Sequence, residues 1–428
     1  MALRLFSWSA MYSRLSIGKW FNQSSLTSVI DSSCPRNTAV PYFTRAKTLK
    51  LAEKTSRTAP PRGFLGQTLD STPTIPNTLA YIAGGNAWII EDSPYNRRPV
   101  VNTGDLDGRV FFLSSDHKWL LFTRKSAKPP DKEINTLWVI NIDDARLKMI
   151  NLGVSNVVHF ADFSPDDDQV IYYSTVEPRS TAPGWQANND LKTRRFDNFG
   201  VLSEPTEIIS PSSGGVYGWW GMDYAWSPDG ELLIYSRPDG IGLVDLKTKT
   251  LQPLMDITPL NTRSDWALIP EITWAADGKS ILVVTHAPSP SLISPEESPF
   301  YDLTEVFLDG SNSIVEQSGM FAFPNTSPLY DKVFYVAYLQ AIFPEQSSTS
   351  RYRLVVMNFD GSNQRVLFPQ GDLPGLEPGK PVWQPVASEK STKFIAVVYM
   401  GNIWLININT SESYQLTSDG LITKIDWK

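Results

Sequence analysis

One histidine lies near several carboxylates in the sequence, and this group is the candidate for acid–base chemistry. His286 precedes Glu296, Glu297 and Asp302. Histidine and carboxylate side chains act as general acids and bases when their pKa values lie near the working pH. The sequence contains no Gly-x-Ser-x-Gly, His-Glu-x-x-His or Gly-x-x-x-x-Gly-Lys-Ser/Thr motif. His286 is therefore a weak catalytic candidate, and a histidine facing solvent at a rim is the simpler interpretation.

Three consecutive aspartates, Asp166 to Asp168, suggest a cation site because hard cations bind several oxygen atoms. The simpler interpretation is a variant of a turn that recurs along the chain. The sequence has only three histidines and one cysteine, Cys34, which leaves little material for a histidine or cysteine metal site. We predict no metal site and no cofactor.

Aromatic side chains with nearby arginines form a second group of candidates, for binding rather than catalysis. Such side chains suit a protein partner or a carbohydrate through stacking and cation–π contacts. The alternative is that each tryptophan packs its own loop onto the scaffold. The predicted binding residues are Trp185, Arg194, Arg195, Tyr217, Trp219, Trp220, Arg263 and Trp266.

A recurring strand–turn–strand unit must position all of these residues. Its best copy runs through residues 224–230 and continues as a second strand over residues 231–236. Pro228 presets the backbone for a turn, Asp229 can bond to nearby backbone groups, and Gly230 tolerates a positive φ. β-Branched and aromatic residues on both sides predict strands.

Copies of this unit recur at a period that fits one four-stranded sheet per repeat. Neighbouring copies are 44 to 63 residues apart, and the sequence between them shows strands without a helical pattern. Radial repetition of such sheets is a β-propeller. The residues that align before the recurring turn are Leu113, Phe163, Trp226, Trp274, Phe323 and Trp383, and the penultimate residue, Trp427, continues the series.

The fold class that we predict is all-β, a seven-bladed propeller of four-stranded antiparallel blades, with six or eight blades as alternatives. The C-terminal strand would join three N-terminal strands in one blade, which would close the ring and remove open sheet edges. The long connections fall after the second and fourth strands of the blades, so they share one face. Long loops on one face favour a binding face there.

The first 77 residues differ from the rest. Residues 1–50 carry seven Lys or Arg and one acid, Asp31, and a Pro-rich linker follows. We expect residues 1–77 to be disordered and residues 78–428 to form the propeller. An amphipathic, transit-like or membrane-surface segment is the alternative for the N-terminus, and a secretory signal peptide fits poorly.

The composition narrows the partners. A net charge of −7 argues against a general nucleic-acid surface, and the sequence has no apolar run long enough for a transmembrane helix. We expect a monomer that binds a protein or a carbohydrate. The sequence alone leaves the compartment open.

The turn sequences also carry a family resemblance. Residues 163–166 (Phe-Ser-Pro-Asp), residues 226–230 (Trp-Ser-Pro-Asp-Gly) and the Asp-Gly turns at 309–310 and 360–361 resemble the WD-like repeats of TolB-type propellers. They are also similar to the propeller domains of prolyl-oligopeptidase-type peptidases. The resemblance implies a propeller and a binding role, often outside the bacterial cytoplasm, without implying one activity. The favoured hypothesis is a non-enzymatic binding propeller, and the alternative is a hydrolase or lyase with its site near the channel mouth.

Overall fold

The chain folds into seven four-stranded antiparallel sheets arranged as blades around a ring axis, as predicted. The structure is a computed structural model that describes residues 73, 75–289, 294–329, 334–385 and 394–428. The segment 1–72, which holds most of the predicted disordered region, lies outside the described residues. None of the helices in the described ranges has the length and apolarity needed to span a membrane.

Within each blade the first strand lies at the inner edge of the sheet, and the other three follow in order towards the outer edge. Blade 1 contains β30 (Ile422–Trp427), β1 (Ile75–Ala83), β2 (Asn86–Asp92) and β3 (Arg97–Val101). Blade 2 contains β4 (Leu106–Leu113), β5 (Trp119–Lys125), β6 (Asn135–Asn141) and β7 (Met149–Ser155). Blade 3 contains β8 (Ala161–Ser164), β9 (Asp167–Tyr173), β12 (Leu191–Arg195) and β13 (Thr206–Ile209), with the hairpin β10 (Val176–Pro178) and β11 (Trp185–Ala187) inserted after β9.

The remaining four blades follow in chain order. Blade 4 contains β14 (Asp223–Trp226), β15 (Leu233–Arg237), β16 (Gly240–Asp245) and β17 (Thr250–Asp256). Blade 5 contains β18 (Ile272–Trp274), β19 (Ser280–His286), β20 (Tyr301–Phe307) and β21 (Asn312–Gln317). Blade 6 contains β22 (Asn325–Thr326), β23 (Tyr335–Ala341), β24 (Tyr352–Asn358) and β25 (Arg365–Phe368). Blade 7 contains β26 (Val382–Trp383), β27 (Phe394–Tyr399), β28 (Asn402–Asn407) and β29 (Ser413–Gln415). Two single-turn 3-10 helices span Pro295–Glu297 and Pro344–Gln346.

Blade 1 joins the two ends of the propeller. β30 pairs antiparallel with β1, so that Leu79 lies opposite Trp427 and Tyr81 lies opposite Ile425. This arrangement confirms the predicted closure by one C-terminal strand and three N-terminal strands. β1 begins at Ile75, slightly before the predicted start of the propeller at residue 78.

The recurring turn is held by side-chain bonds that the sequence pattern only suggests. In blade 4, the hydroxyl of Ser227 accepts from the Leu232 backbone N–H at 2.9 Å and donates to Asp229 at 2.5 Å. Gly230 has a φ of 75°, and its N–H donates to the Ser227 carbonyl. The Ser-Pro-Asp-Gly motif is therefore part of the scaffold.

One position of the predicted repeat is wrong. The repeat predicts that Phe323 ends the inner strand of blade 6, but β22 ends at Thr326. Thr326 lies opposite Val336 as Trp274 lies opposite Ile281 in blade 5. Phe323 lies three residues earlier and is buried in the apolar core. The aromatic ring of Phe323 therefore does not mark the end of the inner strand. The Ser-Pro at residues 327–328, which also occurs in two other blades, follows the true end of that strand.

Apolar layers between neighbouring sheets form the core. Phe111 and Phe122 of blade 2 pack against Ile82 and Ile89 of blade 1. On its other side, blade 2 packs against blade 3 in a separate cluster that includes Phe163. Because the inner part of each sheet is covered on both faces, strands such as β5 and β19 are nearly continuous apolar runs.

Candidate functional site

Strand direction separates the two faces of the propeller. The connections after the second strand of a blade, and those between blades, emerge on one side, which we call the loop-rich face. On this face, blade 3 carries the β10–β11 hairpin, and the connections 210–222 and 257–271 lead into blades 4 and 5. The opposite face carries mostly tight turns, with the connection 196–205 of blade 3 among the exceptions.

Five of the predicted binding residues meet in one cluster on the loop-rich face, which we call the aromatic platform. Trp185 and Trp220 are buried, with 4% and 3% of their surface exposed, and their rings lie 5.0 Å apart. Tyr217, Trp219 and Trp266 are half-buried around this pair. Trp219 meets Trp220 edge-on at 5.6 Å. Blades 3, 4 and 5 thus contribute loops to one packed surface.

A buried asparagine fixes the most exposed loop of the platform. The side-chain amide of Asn189 donates to the carbonyl of Ser212 at 3.1 Å and to that of Gly218 at 2.8 Å. A Cβ atom on Gly218 would lie 1.8 Å from the Ser213 carbonyl oxygen, so only glycine fits there. The loop is therefore pinned at both ends, while Val216 at its tip is 80% exposed.

His159 and Arg109 complete the underside of the platform, and neither residue is among those predicted from the sequence. His159 Nε2 donates to the Trp220 carbonyl at 2.7 Å, and the Arg109 guanidinium lies 5.2 Å from the Trp185 ring centroid. Burial, together with the charge of Arg109, lowers the pKa of His159 to about 4. The imidazole is neutral at pH 7 and suits a positioning role beneath the platform.

The three predicted arginines lie outside the platform cluster. Arg194 and Arg195 belong to β12, the third strand of blade 3, and not to a loop. The β10–β11 hairpin lies between β9 and this strand. Arg195 pairs with Asp167 near the opposite face, whereas Arg263 lies exposed on the loop-rich face and pairs with Glu297.

His286 ends β19 on the loop-rich face. Its ring stacks on Tyr301 at 5.0 Å, and Nε2 bonds to the Ser298 carbonyl. Within the described ranges, no carboxylate forms a hydrogen bond with this histidine. Burial lowers its pKa. The charge of Glu296 partly offsets this shift without a hydrogen bond between the two side chains.

The aspartates at 166–168 point to separate partners. Asp168 accepts from the backbone N–H groups of Ser115 and Asp116 in the neighbouring turn, at 3.1 and 3.0 Å. Asp167 pairs with Arg195. In the part of the chain that the structure describes, no three metal-ligating side chains converge.

A set of charged residues at the inner strands is absent from the sequence-based predictions. The residue that aligns before the recurring turn marks the same position in every blade. In four blades, the side chain three residues before this position is charged. We call these four residues the charged channel. They are Asp223 in blade 4, Glu271 in blade 5, Lys380 in blade 7 and Lys424 in blade 1. The equivalent residues in blades 2, 3 and 6 are Val110, Phe160 and Phe323.

The electrostatics show that these charges influence one another across the ring. Burial raises the pKa of Glu271 to about 7, and the neighbouring charge of Asp223 contributes to the shift. Burial also raises the pKa of Asp223 to about 6. Burial lowers the pKa of Lys424, and Lys380 lowers it further. Both lysines partly offset the shift of Glu271, which places all four groups in one field.

Comparison with solved structures shows the same fold. The chain is similar to the tricorn protease, with 11% identity, 83% of this chain and 34% of that chain covered, and a TM-score of 0.50. It is also similar to a putative TolB from Agrobacterium tumefaciens (15% identity, 71% and 91% covered, TM-score 0.40) and to a prolyl endopeptidase (12%, 82% and 50%, TM-score 0.47).

The chain spans about half the length of that prolyl endopeptidase. No family model matches the sequence, and the comparison with curated proteins also gives no match. At these identities the likeness concerns the fold alone. On that level the predicted resemblance to TolB-type and prolyl-oligopeptidase-type propellers is confirmed. A propeller fold by itself selects no single activity.

Proposed function

We propose that this chain is a non-enzymatic binding propeller that recognises a protein partner through the aromatic platform on its loop-rich face. The observation that carries the proposal is the packing of loops from three blades around Trp185 and Trp220. Half-buried aromatic side chains held by a rigid base are typical of binding hot spots, because little side-chain entropy is lost on binding.

The tip of the platform favours a protein over a carbohydrate. Val216 is 80% exposed beside the half-buried rings of Tyr217 and Trp219, which makes an apolar point on a rigid loop. Arg263 lies exposed on the adjacent connection and can add a charged contact at the rim. Carbohydrate remains the second ligand class, and the enzymatic alternative would need residues other than His286.

Two substitutions test the platform. Val216→Asp and Trp219→Ala should each reduce recovery of the specific partner about tenfold or more in a pull-down from the cells that produce the protein, because loss of a hot spot costs about 2 kcal/mol or more. The matched control is Phe199→Asp, since Phe199 is 81% exposed on the opposite face. Equal recovery with all three variants would reject the platform as the site.

A glycan array with the same variants separates the two ligand classes. Binding to a glycan that is lost in Trp219→Ala and kept in Phe199→Asp would place the function with carbohydrates instead. Thermal melting of each variant controls for folding.

A further inference from the structure

The charged channel departs from the way a scaffold normally balances charge. Asp223 and Glu271 are on adjacent blades, and Lys380 and Lys424 are also on adjacent blades. Among these four residues, like charges lie on neighbouring blades, while Asp426, two residues after Lys424 in β30, adds an acid on the lysine side. A purely structural network would gain from alternating the signs, because like neighbours disfavour ionisation while unlike neighbours support it.

The two halves do not neutralise each other by contact. In the described part of the chain, none of the four side chains forms an ion pair within 4 Å. The Tyr224 backbone N–H donates to the Asp223 carboxylate at 2.8 Å, within the same strand. Lys424 approaches Phe112 of the next inner strand, with Nζ 5.9 Å from the ring centroid.

Side chains two residues after the channel position, on the same side of the inner strand, reach the backbone of the neighbouring blade. The Asp426 carboxylate accepts from the Leu113 backbone N–H at 2.7 Å, from blade 1 to blade 2. The Asn325 amide donates to the Pro381 carbonyl at 2.8 Å, from blade 6 to blade 7. Asp162 acts on Asp223, and Asp426 acts on Lys424. Lys428 acts in turn on Asp162.

We propose that the charged channel binds a small zwitterion, whose ammonium group contacts the two carboxylates and whose carboxylate contacts the two lysines. A ligand that carries both charges satisfies both halves of the ring at once, whereas a singly charged molecule leaves one half unsatisfied. Shifted pKa values in a shared field accompany many functional sites and support this assignment. The site is separate from the aromatic platform and does not depend on it.

Calorimetry with ω-amino acids of increasing length tests the proposal on the purified full chain. The probes are glycine, β-alanine, γ-aminobutyrate, δ-aminovalerate and ε-aminocaproate, with valerate and pentylamine as singly charged controls. One length should bind about tenfold or more tightly than either control, because truncating one partner of a desolvated charge pair is strongly unfavourable. Affinities no better than those of the controls across the whole series would overturn the proposal.

Variants then locate the binding. Glu271→Gln and Lys424→Met should each weaken the best probe about tenfold or more, while Lys279→Gln, at an exposed turn lysine, should leave its affinity unchanged. Unchanged binding in both channel variants would overturn the assignment. Val216→Asp should bind the probe normally, so failure at the platform and failure in the channel can be told apart. If a channel variant does not fold, the length series on the natural chain still decides the question.

Discussion

The aromatic platform and the charged channel differ in how their polar groups are satisfied. In the platform, His159 is neutral and bonded to the Trp220 carbonyl, and Asn189 donates to two loop carbonyls. In the channel, carboxylates and lysines are held apart without ion pairs within 4 Å among the described residues. The platform is thus assembled by packing, whereas the channel keeps charge available. The two regions should therefore respond in opposite ways to substitution.

The largest effect should come from the base of the platform. Trp220→Ala should lower the free energy of unfolding by about 3–5 kcal/mol, because it leaves a large cavity among packed rings. Trp219→Ala, which removes a half-buried ring of the same type, should lower it by about 1–2 kcal/mol. Denaturant unfolding at constant pH measures both values. Equal losses would mean that the platform does not rest on Trp220.

The channel should instead gain stability when charge is removed. A carboxyl group with a raised pKa binds more protons in the folded state than in the unfolded state. Its contribution to the free energy of unfolding is therefore present in full below the ordinary pKa of 4.5. For Glu271, this contribution is lost as the pH rises through about 7. Raising the pH from 5 to 8 should lower the free energy of unfolding by about 2 kcal/mol, after allowance for water in the channel.

Glu271→Gln should remove most of this pH dependence and should be at least as stable as the natural chain at pH 8. Asp223, with a pKa of about 6, acts in the same direction over a lower range. Lys424 acts in the opposite direction, because its lowered pKa makes the folded state gain stability at higher pH. A pH profile that is identical in Glu271→Gln would contradict the coupling within the channel.

The smallest effect concerns the loop that the platform supports. Asn189→Gly should lower the free energy of unfolding by about 1–2 kcal/mol through the lost hydrogen bonds, and should speed hydrogen exchange over residues 212–219. Glycine is the right replacement because Asn189 has a φ of 50°. The matched control is Asn363→Gly, an exposed position with a φ of 56°. Exchange rates that stay unchanged in Asn189→Gly would show that the loop is held by other contacts.

The blades can be predicted from the sequence because turn residues and strand patterns are local signals. The Ser-Pro-Asp-Gly turn of blade 4 forms as its residues suggest, and the strand count follows from the repeat. The error at Phe323 arises because an aromatic ring in the core can occupy more than one position of the inner strand. The Ser-Pro of residues 327–328 is the better marker, since the Ser327 hydroxyl accepts from the Tyr335 backbone N–H as the Ser227 hydroxyl accepts from Leu232 in blade 4.

The candidate site is harder to predict because it depends on contacts between distant parts of the chain. The platform aromatics can be found as a set, but their burial needs the β10–β11 hairpin, which the sequence presents as a loop. The channel is hidden for a different reason. Glu271 and Lys424 are far apart in sequence, and their relation appears only when residues are counted back from the turn in each blade. That count requires the correct repeat register in every blade.

The pairing of β30 with β1 has a consequence for how the ring is made. During synthesis β1 leaves the ribosome early, but its inner neighbour β30 follows only after all the other blades. Until then β1 has an unpaired apolar edge from Leu79 to Ala83, and such an edge can pair with a strand of another chain. Ring closure is also a contact of very long range, and such contacts form slowly. The ring therefore closes only after β30 has been synthesised. A chain that is released from the ribosome before that point keeps an unpaired edge on β1.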